Sequence, residues 1–486
     1  MMEIAEIEGG ARSAPNDLAR LSAGALIEGY RSGLFTPSEV VEDVIAALER
    51  TDALCNVVVT PIYDQARAEA ARATAAWSSG TPEGPLCGVP VTVKDLIYVS
   101  GVPAHAGAPV LEHFVPETDA AVVGALKAAG AIITAKTTTC EAGYKLTADS
   151  PLSGITRNPW SLDRTSGGSS GGAAAAVAAG CGPLAVGTDG VGSIRVPSSF
   201  CGVFGMKPTF GLVPRAPGFS PPSWASLAHT GPIARTVADA ALLLETIAGY
   251  DLRDGASLPV GTRRFDTTPG PLDGLTIAAS ADLGHAPVAP AVRAAFEAAL
   301  ATLAGLGATI VPDHPGIDPE ALDRILKPIA FTEQAAAVLG RSEDELGRSD
   351  ADYRRVLEHG RSYRGIDYVA ATHRRTALRA QFLDLFRRAD LFVTPATAVT
   401  AFSAGTIGVD EIDGRPVDPH LGWSPFSWPI NLAGLPAASV PCGFDAAGLP
   451  IGLQIVAPWL EEGRIFRVAA AFEAERPWAV HWPAPR

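Results

Sequence analysis

Short runs of apolar, often β-branched residues alternate with segments of helical periodicity along most of the chain. Two of these runs, Val89–Lys94 and Leu184–Thr188, are typical of buried strands. A capping box at Thr36–Glu39, with proline at the first helical position, marks the start of a helix. Such alternation favours a layered α/β fold, because helices must cover both faces of a sheet whose strands are apolar throughout.

The rest of the chain continues this pattern without an internal repeat or a linker of different composition. We therefore expect one domain over residues 1–486, with a helical segment at 16–80 packed on its flank. The further predicted strands are Ala131–Lys136, Leu275–Ala279, Thr309–Val311, Leu391–Pro395 and Gly452–Val456, and the further predicted helices are Asp119–Ala129, Ala173–Ala179, Val237–Ala248 and Val288–Leu306.

Composition excludes several classes of protein. With 47% hydrophobic residues, the chain is not disordered as a whole, and 38 basic against 52 acidic residues disfavour a nucleic-acid binder. The six cysteines are scattered without a C-x-x-C pair, which is typical of reduced thiols. The acidic start is unlike a signal peptide, and glycine and proline interrupt the small-residue stretch 172–187. We expect a cytoplasmic protein that spans no membrane.

A run of glycine and serine residues at Thr165–Gly172 leads directly into the predicted helix Ala173–Ala179. Glycine/serine runs are commonly flexible linkers, but a linker separates domains and does not precede a buried helix. Glycine at a loop-to-helix junction lets the backbone approach another group closely. The run lacks the Lys-Ser/Thr pair of a phosphate-binding loop. Two interpretations therefore stay open here, a functional loop and a plain turn.

A second glycine-rich turn, Gly187–Pro197, follows a predicted strand. Its serine, Ser193, has small neighbours and the character of an exposed nucleophile, although Arg195 departs from the G-x-S-x-G elbow. A turn with a local ion pair between Asp189 and Arg195 explains the same residues equally well. If the serine is a nucleophile, successive backbone N–H groups predict an oxyanion hole, formed by Gly190, Val191, Gly192 and Ser193.

Lys94 is the candidate base for this serine, because it ends a predicted strand of otherwise apolar residues. Burial of an ammonium is costly, so desolvation lowers the pKa of a buried lysine and leaves part of it neutral. Strand alternation points Asp95 to the opposite face, so Asp95 need not hold Lys94 protonated. The alternative is an edge-strand lysine that reaches water. The nine histidines show no metal-site spacing, and we expect no metal or cofactor.

Several blocks of the sequence together resemble the amidase signature family. The blocks occur in order between residues 88 and 454, and the resemblance implies a layered α/β/α fold with a large mixed sheet covered by helices on both faces. They are Gly88–Asp95, Arg157–Trp160, the Gly-Gly-Ser-Ser-Gly-Gly run, Gly192–Arg195, Cys201–Thr209, Asn431–Pro436 and Gly452–Gln454.

The resemblance also implies a catalytic triad of a serine, a cis-peptide serine and a lysine. Carried over to this chain, Ser193 is the nucleophile, Ser169 the cis-peptide serine and Lys94 the base. The two serines are 24 residues apart, which fits the family pattern. The residues expected to support the triad are Ser170, Asp189 and Arg195.

Two positions depart from the family pattern. Val191-Gly192 stands where the family often has Gly-Gly, a change that keeps the backbone donors but alters the pocket. Ala228-His229 stands where the family often has an aspartate, and where the A-type subunits of glutamyl-tRNA amidotransferases usually read Asp-Gln. The second departure makes the amidotransferase assignment less favoured.

We therefore expect an amide-bond hydrolase that forms a serine acyl-enzyme with a small carboxamide, an aryl amide, or a related carbamate or ester. The alternatives are an A-type subunit of a glutamine-dependent tRNA amidotransferase and a non-catalytic binding homologue. The expected partners are a small amide and water, with no nucleic acid or membrane. Assembly as a homodimer is an alternative that the sequence leaves open. An aromatic pocket would favour apolar substrates, and its candidate residues are Gly143, Tyr144, Phe219 and Trp224. Surface aromatics in a loop explain the same pattern equally well.

Overall fold

Eleven strands form one mixed β-sheet in the computed structural model, which describes residues 17–219 and 227–484. Numbered along the chain, their order in the sheet is β1-β3-β2-β4-β6-β5-β10-β11-β9-β7-β8. The strands are β1 Val58–Pro61, β2 Pro90–Lys94, β3 Ile132–Thr137, β4 Leu184–Asp189, β5 Phe204–Lys207, β6 His229–Ala234, β7 Thr276–Ala279, β8 Thr309–Pro312, β9 Leu391–Pro395, β10 Ala437–Phe444 and β11 Pro450–Val456.

The strand directions make the sheet mixed, as the resemblance implied. Strands β3, β2 and β4 run parallel to one another, and so do β9, β7 and β8. The strands between these two groups pair antiparallel. Residues on both faces of β2, β3, β6 and β9 are buried along their whole length, so the middle of the sheet is covered on both sides.

Helices account for this cover and confirm the layered α/β prediction. They are α1 Ala23–Ser32, α2 Pro37–Cys55, α3 Tyr63–Ser78, α4 Ala121–Ala128, α5 Gly171–Ala178, α6 Arg195–Cys201, α7 Val237–Ile247, α8 Pro290–Gly305, α9 Lys327–Ala337, α10 Glu343–Leu346, α11 Ala351–Ser362, α12 Gly365–Leu385, α13 Trp428–Ala433 and α14 Glu462–Glu475. Short two-stranded ribbons lie outside the large sheet at Asp149–Ser150 with Gly154–Ile155, Arg157–Asn158 with Ser161–Thr165, and Glu411–Ile412 with Arg415–Pro416.

The capping box predicted at Thr36–Glu39 is present. The Thr36 side chain accepts from the Glu39 N–H, and the Glu39 carboxylate accepts from the Thr36 N–H. These bonds satisfy backbone donors that the first turn of α2 would otherwise leave unpaired. Among the described residues, no helix is both long enough and apolar enough to cross a lipid bilayer.

The prediction of an all-helical segment at 16–80 is wrong at one point. Asn56 adopts a left-handed conformation that ends α2, and the β-branched run after it forms β1. This strand pairs antiparallel with β3 at one edge of the sheet. The packing partner at the edge therefore decides the conformation of a segment that lies between two helices.

Three central strands were not predicted from the sequence, namely β5, β6 and β10. Glycine or proline interrupts the β pattern of each strand, as at Gly231-Pro232 in β6 and Pro441 in β10. Their neighbours in the sheet supply the ladder contacts that local propensity does not predict. The other predicted strands and helices are present, with ends shifted by up to two residues.

Candidate active site

Lys94 lies at the carboxyl end of β2, beside the carboxyl end of the parallel strand β4. Its side chain is fully buried. Its Nζ lies 2.7 Å from Ser169 Oγ and 2.8 Å from Thr188 Oγ1, and it donates to the Thr188 carbonyl at 3.4 Å. Because β2 lies inside the sheet, between β3 and β4, the edge-strand alternative is wrong.

Burial is the main cause of the electrostatic state of Lys94. Desolvation lowers the pKa of Lys94 to about 7, although the nearby Cys140 thiol and Asp189 carboxylate act in the opposite direction. Asp95 turns away, as strand alternation predicts, and its carboxylate accepts from Lys136 Nζ at 2.8 Å. Near neutral pH, a substantial fraction of Lys94 is therefore unprotonated and basic.

The glycine/serine run is a buried loop, and the flexible-linker interpretation is wrong. Residues 165–178 are buried without a break. The peptide bond between Gly168 and Ser169 is cis. A Cβ atom on Gly168 would lie 2.2 Å from the Thr147 carbonyl carbon and oxygen, so only glycine fits there. This close approach brings Ser169 Oγ next to Lys94.

Ser170 connects this loop to the neighbouring strand. Its hydroxyl donates to the Thr188 carbonyl at 3.0 Å and accepts from the Thr188 N–H at 3.2 Å. Its backbone N–H donates to the Ser193 carbonyl at 3.1 Å. Ser170 thus holds together the loop, the end of β4 and the turn that carries Ser193, which is consistent with a supporting position.

The ion pair expected from the second glycine-rich turn is present and fully buried. Arg195 Nε and Nη2 donate to the two carboxylate oxygens of Asp189 at 3.0 Å each. Burial opposes ionisation of Asp189, but the Arg195 guanidinium outweighs it and holds the pKa of the Asp189 carboxyl below its usual range. The same carboxylate accepts from the backbone N–H groups of Gly192, Ile194 and Arg195. The nucleophile and ion-pair interpretations are therefore compatible, because the pair shapes the turn.

The backbone N–H groups of this turn fall into two sets. The Gly192 N–H donates to Asp189 Oδ1 at 2.8 Å, and Gly192 does not line the cavity. Its inclusion among the oxyanion donors is therefore wrong, because that N–H is already bonded to a buried carboxylate. Within residues 17–219 and 227–484, the N–H groups of Gly190, Val191 and Ser193 have no acceptor, and all three residues line the cavity that Ser169 also lines.

A cavity of about 160 Å³ opens onto Ser169 and Ser193. Gly143, Tyr144 and Phe219 line it, as predicted, whereas Trp224 lies outside the described residues. The residues of the cavity wall that the sequence did not indicate come from distant segments; they include Leu96, Ile97, Val122, Arg215, Phe331, Glu333, Gln334 and Val356. No local pattern marks these side chains, because folding alone brings α4, α9 and α11 to one cavity.

Four polar residues around the site, three of them buried, were not predicted as contacts. Thr188 contacts Lys94, and its position next to Asp189 at the end of a predicted strand was an available signal. Asn431 and Gln454 belong to blocks that carry the family resemblance, but their sequence positions alone indicate no partner. Both contact Arg195, as does the backbone carbonyl of Ser427.

Lys94 is predicted to titrate close to pH 7 instead of near 10.5, because its ammonium is desolvated. The chain has six lysines, so carbon-13 labelling at lysine Cε gives few resonances to follow against pH by NMR. One resonance should shift near pH 7 and disappear in Lys94→Arg. The partly exposed Lys127→Arg is the matched control and should leave that resonance unchanged. A Lys94 resonance that titrates near pH 10 contradicts the prediction.

The comparisons with known proteins agree with this architecture. A profile of the Amidase family matches residues 39–466. The chain is 36% identical over 473 residues to the A-type subunit of the glutamyl-tRNA(Gln) amidotransferase of Thermosynechococcus vestitus, a match that covers 92% of this chain and 96% of that relative. It is 35% identical over 468 residues to an acylamidase of Rhodococcus erythropolis, a match that covers 96% and 97% of the two chains.

A solved structure gives the same assignment. It is a bacterial aryl acylamidase of the amidase signature family, which superposes with a TM-score of 0.87 at 30% identity. The match covers 95% of this chain and 97% of that one. With a family profile over most of its length and relatives above 30% identity along nearly all of it, the chain belongs to the amidase signature family.

Proposed function

We propose that this protein hydrolyses a small, uncharged amide with an aryl or other apolar group, through an acyl-enzyme on Ser193. The observation that carries the proposal is the buried contact of 2.7 Å between Lys94 Nζ and Ser169 Oγ, at a cavity that Ser193 also lines. A lysine with its pKa lowered to about 7 is a base at neutral pH. A serine nucleophile needs such a base within reach of its proton.

In the proposed acylation step, neutral Lys94 takes the proton of Ser169 while Ser169 takes the proton of Ser193. The structure contains the contact between Lys94 and Ser169, and the transfer from Ser193 to Ser169 is part of the proposal. The Ser193 Oγ then forms a bond to the carbonyl carbon of the amide, and the carbonyl oxygen becomes an oxyanion. Three N–H groups next to the cavity have no acceptor among the described residues and are available to bind it, those of Gly190, Val191 and Ser193.

Collapse of this intermediate breaks the bond between carbon and nitrogen. The proton held by Lys94 returns through Ser169 to the leaving nitrogen, which departs as a neutral amine and leaves an ester on Ser193. A water molecule then attacks the ester and gives its proton to the same relay. Ser193 regains the proton as the carboxylic acid leaves, so the enzyme ends in its starting state.

The cavity wall supports the choice of substrate class. Most of its residues are apolar, including Ile97, Phe219 and Phe331. Arg215 and Glu333 are the charged lining residues among those described. Burial lowers the pKa of the Arg215 guanidinium, and the carboxylates of Asp254 and Glu333 act in the opposite direction. Opposite charges in one wall leave little net attraction for a charged substrate, so an apolar amide fits best.

The relatives support the same class. One curated relative is named an acylamidase, and one structural neighbour is an aryl acylamidase. A further neighbour is a 6-aminohexanoate cyclic dimer hydrolase, with a TM-score of 0.86 at 29% identity. We therefore include anilides first, then short aliphatic amides, carbamates and p-nitrophenyl esters, in the substrates to be tested.

Ser193→Ala should lower the turnover of anilides by more than about a thousandfold, because it removes the proposed nucleophile. The matched control is Ser439→Ala, which removes a buried hydroxyl that has no hydrogen-bond partner among the described residues. The control should keep wild-type turnover. With a slowly deacylating ester, intact-mass analysis should detect one acyl group, and peptide mapping should place it on the peptide that contains Ser193. An adduct on another residue would overturn the assignment.

For the wild-type protein, kcat/KM on amides should rise as the pH rises through about 7, since neutral Lys94 is the reactive form. Lys94→Arg should lower the rate of amide hydrolysis by about 10²- to 10⁴-fold, because a guanidinium stays protonated and cannot act as a base. Esters should lose less, since a phenoxide leaves without a returned proton. Lys127→Arg should retain the wild-type profile. Full amidase activity in Lys94→Arg would refute this role.

The 36% identity to an A-type amidotransferase subunit favours a second candidate function, the release of ammonia from glutamine within a complex. That function requires partner subunits and a tRNA-bound substrate, whereas the hydrolase acts alone. Ammonia release from glutamine and amine release from an anilide should be measured on the same purified chain. Anilide turnover without glutaminase activity supports the hydrolase, and the reverse result supports the amidotransferase.

A further inference from the structure

Two residues of the C-terminal half of the chain reach into the turn that carries Ser193. Ser427 precedes α13, and Asn431 lies within that helix. Both side chains are fully buried, and both contact backbone carbonyls of the turn. Neither side chain lines the cavity, so neither contacts a substrate there.

Ser427 fixes the peptide unit between Val191 and Gly192. Its hydroxyl donates to the Val191 carbonyl at 2.6 Å. The N–H at the other end of this peptide unit donates to Asp189 Oδ1 at 2.8 Å. Because the carbonyl and N–H of a trans peptide point in opposite directions, these two bonds hold the plane of the unit from both sides.

Asn431 fixes the peptide unit between Asp189 and Gly190 in the same way. Its Nδ2 donates to the Asp189 carbonyl at 3.0 Å, and His229 Nδ1 lies 3.2 Å from that carbonyl. The Nδ1 atom also lies 2.7 Å from the Leu227 carbonyl, so its two partners are both acceptors and assign the proton to Nδ1. With its carbonyl turned toward Asn431, this peptide unit points the Gly190 N–H to the opposite side.

A third unit, between Gly192 and Ser193, is held by α6. The Val196 N–H donates to the Gly192 carbonyl at 2.8 Å, which directs the Ser193 N–H away from the helix. The fit around Gly192 is close. A Cβ atom on this residue would lie 2.6 Å from Ser427 Oγ, and its φ of 136° is one that side chains rarely adopt.

We propose that Ser427 and Asn431 are positioning residues for the oxyanion donors, although neither contacts the substrate. Asn431 holds the peptide unit that carries the Gly190 N–H, and Ser427 holds the unit that joins those carrying the Val191 and Ser193 N–H groups. This inference rests on the proposed function, because an oxyanion forms only if Ser193 attacks a carbonyl. Electrostatic stabilisation depends on donors fixed in advance at the place where charge develops. Anchors behind the turn provide that fixed geometry without occupying the cavity.

Ser427→Ala tests the proposal with the smallest change. The variant should lower kcat by about 10- to 100-fold. Removal of an oxyanion donor itself lowers kcat by about 10²- to 10³-fold, so the loss of an anchor should be smaller. KM should stay within about twofold, since ground-state contacts are unchanged. Amides and esters should lose rate equally, because both form the oxyanion.

The matched control is Ser199→Ala. Ser199 is equally buried, and its hydroxyl accepts from the Gly452 N–H at 3.0 Å, outside the turn. Ser199→Ala loses one buried bond between a hydroxyl and the backbone, whereas Ser427→Ala loses its bond to the Val191 carbonyl together with its contacts to the Ser424 hydroxyl and carbonyl. The unfolding midpoint of Ser427→Ala should therefore fall at least as far as that of Ser199→Ala. Only Ser427→Ala should lose kcat. Equal kcat values for the two variants would overturn the proposal, whatever their stabilities.

An inhibitor that adds to Ser193 provides a readout that a purely structural role would not change. An aryl trifluoromethyl ketone forms a tetrahedral adduct with an oxyanion, and its affinity should fall in Ser427→Ala by the same factor as kcat. The affinity for the acid product, which has no oxyanion of this kind, should stay at the wild-type value. An equal loss for both ligands would contradict a positioning role and indicate a damaged cavity.

Asn431→Leu gives an independent test from the other peptide unit. It should lower kcat and inhibitor affinity together, as Ser427→Ala does. Wild-type kcat in a folded Asn431→Leu protein would remove Asn431 from the proposal.

If the wild-type protein forms no Ser193 adduct and hydrolyses no amide, the proposed function itself fails. Failure of the positioning role alone shows as an active, Ser193-dependent enzyme that Ser427→Ala leaves unchanged.

Discussion

The buried ion pair between Asp189 and Arg195 joins the two halves of the sheet at the candidate active site. Each of the five N–H donors of the Arg195 guanidinium has an acceptor, contributed by Asp189, Ser427, Asn431 and Gln454. Asp189 ends β4, whereas Gln454 lies on β11, four positions further along the sheet. Removal of one charge would leave the other buried and unpaired, at a cost of about 3–5 kcal/mol. The turn that carries Ser193 depends on this pair for its shape.

Lys94 shows the opposite use of burial. No carboxylate contacts its Nζ within the described part of the chain, and its partners are a hydroxyl of Ser169 and groups of Thr188. Desolvation therefore lowers the pKa of Lys94 and keeps part of it neutral. The adjacent strands β2 and β4 thus present a basic amine and a fixed carboxylate at their carboxyl ends. The proposed chemistry requires both a neutral amine that acts as a base and a separate charged carboxylate that shapes the turn.

The identities of the central residues could be predicted from local signatures and from the family resemblance together. Lys94 ends an apolar strand, and Ser193 follows a strand in a glycine-rich turn. The glycine/serine run before a small-residue helix marked a candidate loop, and only the family resemblance singled out Ser169 within it. The ordered blocks around them identified the family, which the comparisons confirm. The prediction that Gly192 supplies an oxyanion donor was wrong, because sequence spacing does not reveal that Asp189 takes that N–H.

The sequence by itself determined the alternation of strands and helices, the family and the three residues of the candidate relay, because periodicity and short motifs are local properties. Tertiary structure alone decided that the valine run after Asn56 forms an edge strand, which N–H groups of the turn stay free, and which side chains line the cavity. Ser427 and Asn431 contact the turn across more than 230 residues of chain. Such contacts depend on how distant strands and helices pack, and no local pattern encodes them.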